Sequence, residues 1–245
     1  MLNTIKSYAK INLFLNVVNK LDTGFHELNS VLSRIDLYDE IRIKDESSFS
    51  ISYNGPFGDQ VGSNDHVSKL FNYLIDKNYL KQKSFAIHVV KNIPVGSGLG
   101  GGSSNVAEII KYLIRSNLLD NSSSTEIARD LGSDIEFFID EGSALISGKG
   151  NVDQRFKINS DKHFLIVFPN VQNSTKDIFN KHSNLSGEKF SYNKDTNLDG
   201  ILKGTSNELE KTALLANQEM KKIREYLDND INCKYERMTG RGSAY

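Results

Sequence analysis

A chain of 245 residues with 30 Lys plus Arg against 31 Asp plus Glu has a net charge of −1, so no global field marks it for nucleic acid or an anionic membrane, and any anion must be bound locally. Its single cysteine, Cys233, excludes an internal disulfide framework and a cysteine-based zinc site, which suits a reducing cytoplasm. No apolar run approaches the roughly 18 residues of a membrane span, and the opening residues lack the apolar core of a secretory signal, so a soluble, cytoplasmic protein of two modest domains is expected.

In chain order, residues 2–54 read as strands. Ile11, Leu13 and Leu15 alternate with polar or bulky neighbours, as do Ile41 and Ile43, and then Phe49, Ile51 and Tyr53. Asp22 and Gly24 supply hairpin chemistry within residues 21–26. Residues 55–64, rich in Gly, Asp and Asn, read as a loop, after which Asn64 or Asp65 caps a helix with Val67, Leu70, Phe71, Leu74 and Ile75 on one face. Phe85, Ile87 and Val89 make a strand that delivers the chain to residues 93–107, IPVGSGLGGGSSNVA, and Val106, Ile109, Ile110 and Leu113 then recur at helical spacing. A short helix over 127–131 ends at Gly132, Ser133 and Asp134 precede another over 135–139, residues 144–146 form a strand and 148–151 a tight turn. Past a boundary near residue 157, the pattern predicts a buried strand over 164–168, a polar tract over 183–199, helix over 206–228 with a break near Asn217, and a strand over 232–238.

The stretch 93–107 carries the chemistry. Gly96, Gly98, Gly100, Gly101 and Gly102 carry no Cβ and are able to take positive φ, so successive backbone N–H groups close around a phosphate oxygen. Ser103 and Ser104 are placed to cap the following helix, whose N-terminus adds a partial positive charge. Gly96-x-Gly98-x-x-Gly101 formally matches a dinucleotide fingerprint, but residues 92–95 separate the strand from the glycines, and Asp120 follows helix-like rather than strand-like sequence. A Walker P-loop needs Lys-Ser or Lys-Thr where this run ends in Ser103-Ser104. A merely structural glycine turn is the bland alternative. His66, His88, His163 and His182 show no metal-ligand spacing, and no protein-held metal is expected.

Residues 93–107 resemble the second signature of the GHMP small-molecule kinases. The resemblance is distributed over residues 7–245: Ala9-Lys10-Ile11-Asn12-Leu13-Phe14-Leu15 is similar to the first motif of one branch of that family and Asp22-Thr23-Gly24-Phe25-His26-Glu27-Leu28 to its next. Leu131-Gly132-Ser133-Asp134-Ile135-Glu136 resembles the acidic motif. Ser174-Thr175-Lys176-Asp177, Asn207-Glu208-Leu209-Glu210 and Met238-Thr239-Gly240-Arg241-Gly242-Ser243 resemble the later ones in order.

The resemblance implies an α+β, two-domain GHMP kinase fold. A ribosomal protein S5 domain 2-like N-terminal domain would span 1–157 and a ferredoxin-like C-terminal domain 158–245, with the site in a cleft between them. It implies ATP with Mg²⁺ as the phosphoryl donor system. Pro94, Val95, Gly96, Ser97, Gly98, Leu99, Gly100, Gly101, Gly102, Ser103 and Ser104 would hold the phosphates. The acceptor it implies is the 2-hydroxyl of a cytidine diphosphate-linked methylerythritol, in isoprenoid biosynthesis, with no nucleic-acid or membrane partner and a monomer or weak homodimer. Asp134 would accept the hydroxyl proton, and Lys10 would keep Asp134 ionised and steady the substrate oxygen. Phe25 would stack on the cytosine ring and His26 read its polar edge, with Asn12 and Thr175 also on the substrate side. Asn64 and Lys91 resemble residues near the adenine pocket. On residue type alone Asp134 is also an N-cap, Lys10 a solvated strand lysine and His26 a turn histidine.

The sequence departs from the family in four places. Phe25 stands for the usual Tyr, which keeps the stacking face and loses a hydroxyl contact. Glu136 stands for the usual Pro, and a carboxylate there raises the pKa of Asp134 if both face the cleft, or does nothing if it faces water. Arg241 stands for a small residue between the third-motif glycines, where it either pairs with phosphate or blocks it. Family members also run on through at least one more strand and helix, so an incomplete C-terminal domain with an exposed sheet edge is expected. Two rival readings follow: a truncated, impaired nucleotide-binding remnant, or a GHMP kinase for mevalonate, homoserine or a sugar.

Overall fold

A computed structural model describes residues 4–22, 24–63, 65–81, 85–158, 162–171, 173–182, 185, 187–193, 196–230 and 233–245. Thr23, Asn64 and Asn232 lie outside the described residues, and Thr175 is described in its backbone only. The chain packs as two compact units, Met1–Ala9 with Ile35–Val95 and Gly100–Glu141, and Lys10–Arg34 with Gly96–Leu99 and Gly142–Tyr245. Two long strands, β1 (Thr4–Lys20) and β2 (His26–Asp45), contribute to both.

In the first unit the later half of β2 runs antiparallel to β4 (Phe85–Val90), with Ile41 opposite Val89 and Ile43 opposite Ile87. Strand β3 (Ser50–Asn54) pairs in parallel on the other side of β4, Ile51 opposite Ile87. Helix α1 (His66–Asp76) starts at Asp65, whose carboxylate accepts the Ser68 N–H at 2.9 Å, so that residue is the cap. Its apolar stripe Val67, Leu70, Phe71 and Leu74 is fully buried, and Phe71 meets Phe49 and Phe85 at ring separations of 4.9 and 5.7 Å. Each such side chain contributes about 1.5–3 kcal/mol relative to exposure. Helix α2 (Gly101–Arg115) buries Val106, Ile109, Ile110 and Leu113, and α3 (Ser124–Leu131) and α4 (Ile135–Ile139) follow. The Lys111 ammonium donates to the Phe138 carbonyl at 3.2 Å, a tie from α2 to the last turn of α4.

In the second unit β1 and β2 form a hairpin closed by Leu21 N–H to the Phe25 carbonyl and Gly24 N–H to the Leu21 carbonyl, both 2.8 Å, with Gly24 at φ 80°. The alternation expected in β1 is absent, since every residue from Lys10 to Leu15 is buried. Such continuous burial belongs to a strand covered on both faces. The first half of β2 pairs antiparallel with β5 (Ser143–Gly148), which turns back through β6 (Asn151–Phe156). Beyond these come α5 (Thr175–Lys181), α6 (Leu198–Leu202), α7 (Glu210–Ala216) and α8 (Gln218–Asp228). The break near Asn217 is a helix start, its side chain accepting the Glu219 N–H at 3.0 Å. A core of Leu15, Val17, Ile178, Leu209, Ala213, Met220, Met238 and Tyr245 ties these pieces together.

Three local expectations fail where the backbone bonds lie elsewhere than in the expected ladder or helix. Residues 164–168 form no strand; Val167 exchanges two 2.9 Å backbone bonds with the single residue Tyr245, not with a strand. Phe164 and Leu165 stay 42% and 81% exposed and border a cavity of about 640 Å³. Residues 233–238 likewise form no strand, and Arg237 is held through its guanidinium, which donates to the Leu202 carbonyl at 2.9 Å and to Leu13. Helix begins at Glu210 rather than 206, because Ser206 and Glu208 instead bracket Leu15 with two 2.9 Å backbone bonds.

Candidate active site

Within residues 96–104 the glycines do two different jobs. Gly96, Gly98 and Gly100 take φ of 72°, 85° and 75°, a left-handed glycine at every second position. The residues between them point inward: Ser97 and Leu99 are buried. In the second unit the Leu99 carbonyl accepts the Lys10 N–H at 2.9 Å and the Ser97 carbonyl accepts the Ala244 N–H at 3.0 Å. Gly98 also permits a close backbone approach, since a Cβ there would meet the Gly242 N and O at 3.3 Å and the Thr239 carbonyl closer still. The 239–243 loop thus lies directly on the glycine loop.

Gly101 and Gly102 do not take positive φ as expected; they are the first residues of α2. Their missing Cβ atoms supply room instead, because one on Gly101 would meet Ile93 Cγ2 at 2.9 Å and Lys91 Nζ at 3.1 Å. Nor do Ser103 and Ser104 cap the helix. Gly100 is the cap residue, left-handed and without a side-chain cap bond, and the Ser104 N–H already makes the first helical bond to the Gly100 carbonyl at 2.9 Å. A glycine at the cap position brings no side chain of its own to the first-turn amides, an arrangement suited to an external anion.

Behind that turn lies a buried polar cluster that sequence reading missed. Asp39, fully buried, forms an ion pair with Lys91, accepts the Asn105 amide at 3.0 Å and takes the Asn92 and Ile93 backbone N–H groups at 2.8 and 2.9 Å. Asn105 Nδ2 also donates to Ser7 Oγ at 2.9 Å, which donates to Ser104 Oγ at 2.8 Å. Lys91 is therefore an internal strut, 4% exposed, with burial pulling its pKa down and Asp39 opposing that shift. The signal in the sequence was an Asn on the buried side of a helix whose other inward residues past the first turn are mostly apolar.

Lys10 and Asn12 come together in the second unit. The Lys10 ammonium donates to Asn12 Oδ1 at 2.6 Å, Asn12 Nδ2 donates to Ser30 Oγ at 2.9 Å, and the Asn12 N–H donates to Thr239 Oγ1 at 2.9 Å. Both side chains are buried, and a Cβ on Gly240 would sit 3.3 Å from each polar tip. Asn12 holds Lys10 and the third glycine loop in register.

Asp134 occupies the N-cap position of α4, half-buried, with helical φ and ψ of −84° and −12° and no side-chain cap bond, so the bland capping role is absent. Glu136 is engaged by a bidentate pair with Arg129, at 3.0 and 2.9 Å, which compensates its charge and raises the Arg129 pKa. Asp134 lies in the first unit and Lys10 in the second. On the hairpin, Phe25 is 59% exposed with the Lys149 ammonium 4.4 Å from its ring centre. His26 stacks on Phe179, centroids 5.1 Å apart at 23°, and burial, then Lys20 and His182, lower its pKa. Arg241 is exposed, its carbonyl accepting the Asn173 amide at 3.3 Å. Among the described residues no cluster of His, Cys, Asp or Glu is arranged to hold a metal, and no helix is long and apolar enough to cross a membrane.

Residues 65–145 match the GHMP kinases N terminal domain, the class that this glycine run and uncapped helix start define. A 4-diphosphocytidyl-2-C-methyl-D-erythritol kinase of Pelagibacter ubique is 36% identical over 98% of this chain and 86% of its own length. The same-named protein of Fervidobacterium nodosum is 32% identical over 98% of this chain and 88% of its own. The chain belongs to the family of 4-diphosphocytidyl-2-C-methyl-D-erythritol kinases. A crystal structure of a 4-(cytidine 5'-diphospho)-2C-methyl-D-erythritol kinase shares the fold, with a TM-score of 0.75, 24% identity and coverage of 99% of this chain and 88% of that one.

Proposed function

We propose that the protein transfers the γ-phosphoryl group of ATP to the 2-hydroxyl of 4-diphosphocytidyl-2-C-methyl-D-erythritol, in the non-mevalonate route to isoprenoids, in the cytoplasm. The observation that carries the reading is the turn from three left-handed glycines into a helix with no side-chain cap, on a chain related over nearly its full length to kinases of that name. The first-turn amides of α2 take the phosphates. Asp134 accepts the proton of the substrate hydroxyl as its oxygen bonds to the γ-phosphorus; the bond from that phosphorus to the β,γ-bridging oxygen breaks, and ADP leaves. Lys10, steadied by Asn12, holds the substrate oxygen as charge develops on it. Phe25 offers an open aromatic face to the cytosine, and His26, kept neutral, offers one donor and one acceptor to its edge. Thr175, at the start of α5, completes the substrate side.

Mg²⁺ fits this chain as a companion of the nucleotide, since it takes few protein oxygens and keeps phosphate and water ligands. The first-turn hydroxyl of Ser103 is the oxygen donor offered to it, and when bound it neutralises charge on the phosphates. The test is ADP release with the cytidyl substrate, beside mevalonate, homoserine and galactose as acceptors. Turnover is expected with the cytidyl compound alone, and Asp134→Asn is expected to lower kcat by about 10²–10⁴ with ATP binding retained. Equal turnover in Asp134→Asn removes the base assignment, and preference for another acceptor removes the substrate.

A further inference from the structure

The third consecutive glycine of the run lies against the ring of a histidine. His66 is the first residue of α1; Asp65 caps that helix, and Val67, Leu70, Phe71 and Leu74 form its buried face. As a residue His66 is exposed, yet its ring lies against the first turn of α2. A Cβ on Gly102 would meet His66 Cε1 at 2.9 Å and Cγ at 3.2 Å, with Nδ1 nearer still. Only a glycine at 102 admits the imidazole in this position. The same turn carries the amides that receive the nucleotide phosphates.

We propose that His66 is a ligand of the nucleotide's phosphates, and that Gly102 is a glycine in order to seat its ring. This rests on the ATP reading above. A phosphate oxygen held by first-turn amides lies about 3 Å from their nitrogens. A ring in contact with that backbone is within reach of the same phosphate group, and an imidazole presents an N–H donor in either protonation state. A donor on a side chain adds direction to a site otherwise built from main-chain dipoles, and a hydrogen bond to a charged oxygen is stronger than a neutral one.

The experiment is isothermal titration of the full chain with ATP, ADP and adenosine, in wild type, His66→Ala, His66→Asn, Gly102→Ala and the double variant His66→Ala/Gly102→Ala. His66→Ala is expected to weaken ATP and ADP binding by about ten-fold and to leave adenosine binding unchanged. His66→Asn, which keeps an N–H donor, recovers part of the loss. Gly102→Ala displaces the ring and weakens ATP binding similarly, and the double variant binds no worse than His66→Ala alone, because both changes remove one contact. An equal loss for adenosine, unchanged ATP binding in His66→Ala, or additive losses in the double variant each overturn the proposal while leaving the kinase reading intact. A wild-type protein that binds no ATP overturns both. Thermal melts check folding, and if Gly102→Ala alone fails to fold, the two His66 variants still decide the matter.

Discussion

Lys10 illustrates how one residue's setting fixes what it is able to do. Lys10 is 3% exposed and its ammonium sits 2.6 Å from Asn12 Oδ1, so it is a positioned charge rather than a strand lysine in water. Replacing Asn12 by Ala removes that acceptor together with the Asn12 amide's bond to Ser30, and leaves the buried ammonium less well held. Asn12→Ala is expected to lower kcat at least ten-fold with a much smaller change in the KM for ATP, measured by steady-state ADP release. His26 carries a prediction in pH. Burial lowers its pKa below the usual 6.5, so it stays neutral through neutral pH and gains a proton only below its folded value. On the proposed reading of the cytosine edge by His26, the KM for the cytidyl substrate should be flat from about pH 8 down through 6.5 and rise only below the lowered folded pKa, as the ring lone pair is protonated. The stability linkage has the same sign: the unfolded chain takes up the proton first, so stability falls as pH drops from about 6.5 to the folded pKa and then levels off. The family pattern placed Lys10 and His26 in the sequence. Asn12's ties to Thr239 and Ser30 were not legible, because those residues reach it from positions distant in the chain.

The glycine run is the element whose presence sequence reading finds most easily and whose internal division of labour it misses. Left-handed φ at 96, 98 and 100 is a local property that composition suggests, whereas the space kept at 101 and 102 depends on Ile93, Lys91 and His66. The two uses separate by substitution. Gly24→Ala, at φ 80° with nothing within 4 Å of the added methyl, meets only the left-handed penalty, about 1–2 kcal/mol. Gly98→Ala, at φ 85°, meets the same penalty and also drives its methyl into the Thr239 carbonyl and Gly242 backbone, which have no flexible end to swing aside. It should cost at least about 1–3 kcal/mol beyond Gly24→Ala in chemical denaturation and abolish ATP binding. Similar losses for the two variants would mean that the 239–243 loop gives way freely. The strand expected over 164–168, and that expected over 232–238 as far as residues 233–238 show it, failed at this same scale: an apolar run states a preference for burial, but a strand exists only where a neighbouring backbone completes its ladder.

Across the whole molecule, chain order and packing diverge because β1 and β2 each pass from one unit to the other. Periodicity revealed most helices, including the division at Asn217, since those signals lie within a few residues. Asp39 is the opposite case. Nothing local distinguishes it from other strand carboxylates, yet it is fully buried and receives four donors, from Lys91, Asn105, Asn92 and Ile93. Its cluster joins β2, the segment 91–93 that leads to the glycine run and the first turns of α2, so it sets where the first-turn amides of α2 stand. Asp39→Ala leaves the buried Lys91 ammonium without a counter-charge, with Asn105 Oδ1 at 3.3 Å as its remaining acceptor, strips two backbone N–H groups of theirs, and should destabilise the first unit by about 3–5 kcal/mol. Lys91→Met leaves the carboxylate three of its donors and should cost less. The double variant Asp39→Ala/Lys91→Met should be more stable than Asp39→Ala alone, because removing the buried charge costs less than keeping it without a counter-charge. Hydrogen exchange on β4 and α2 gives the local readout, with protection lost in Asp39→Ala and partly regained in the double variant. If the double variant is the least stable of the three, the ammonium is reached by water and the cluster acts through its hydrogen bonds alone.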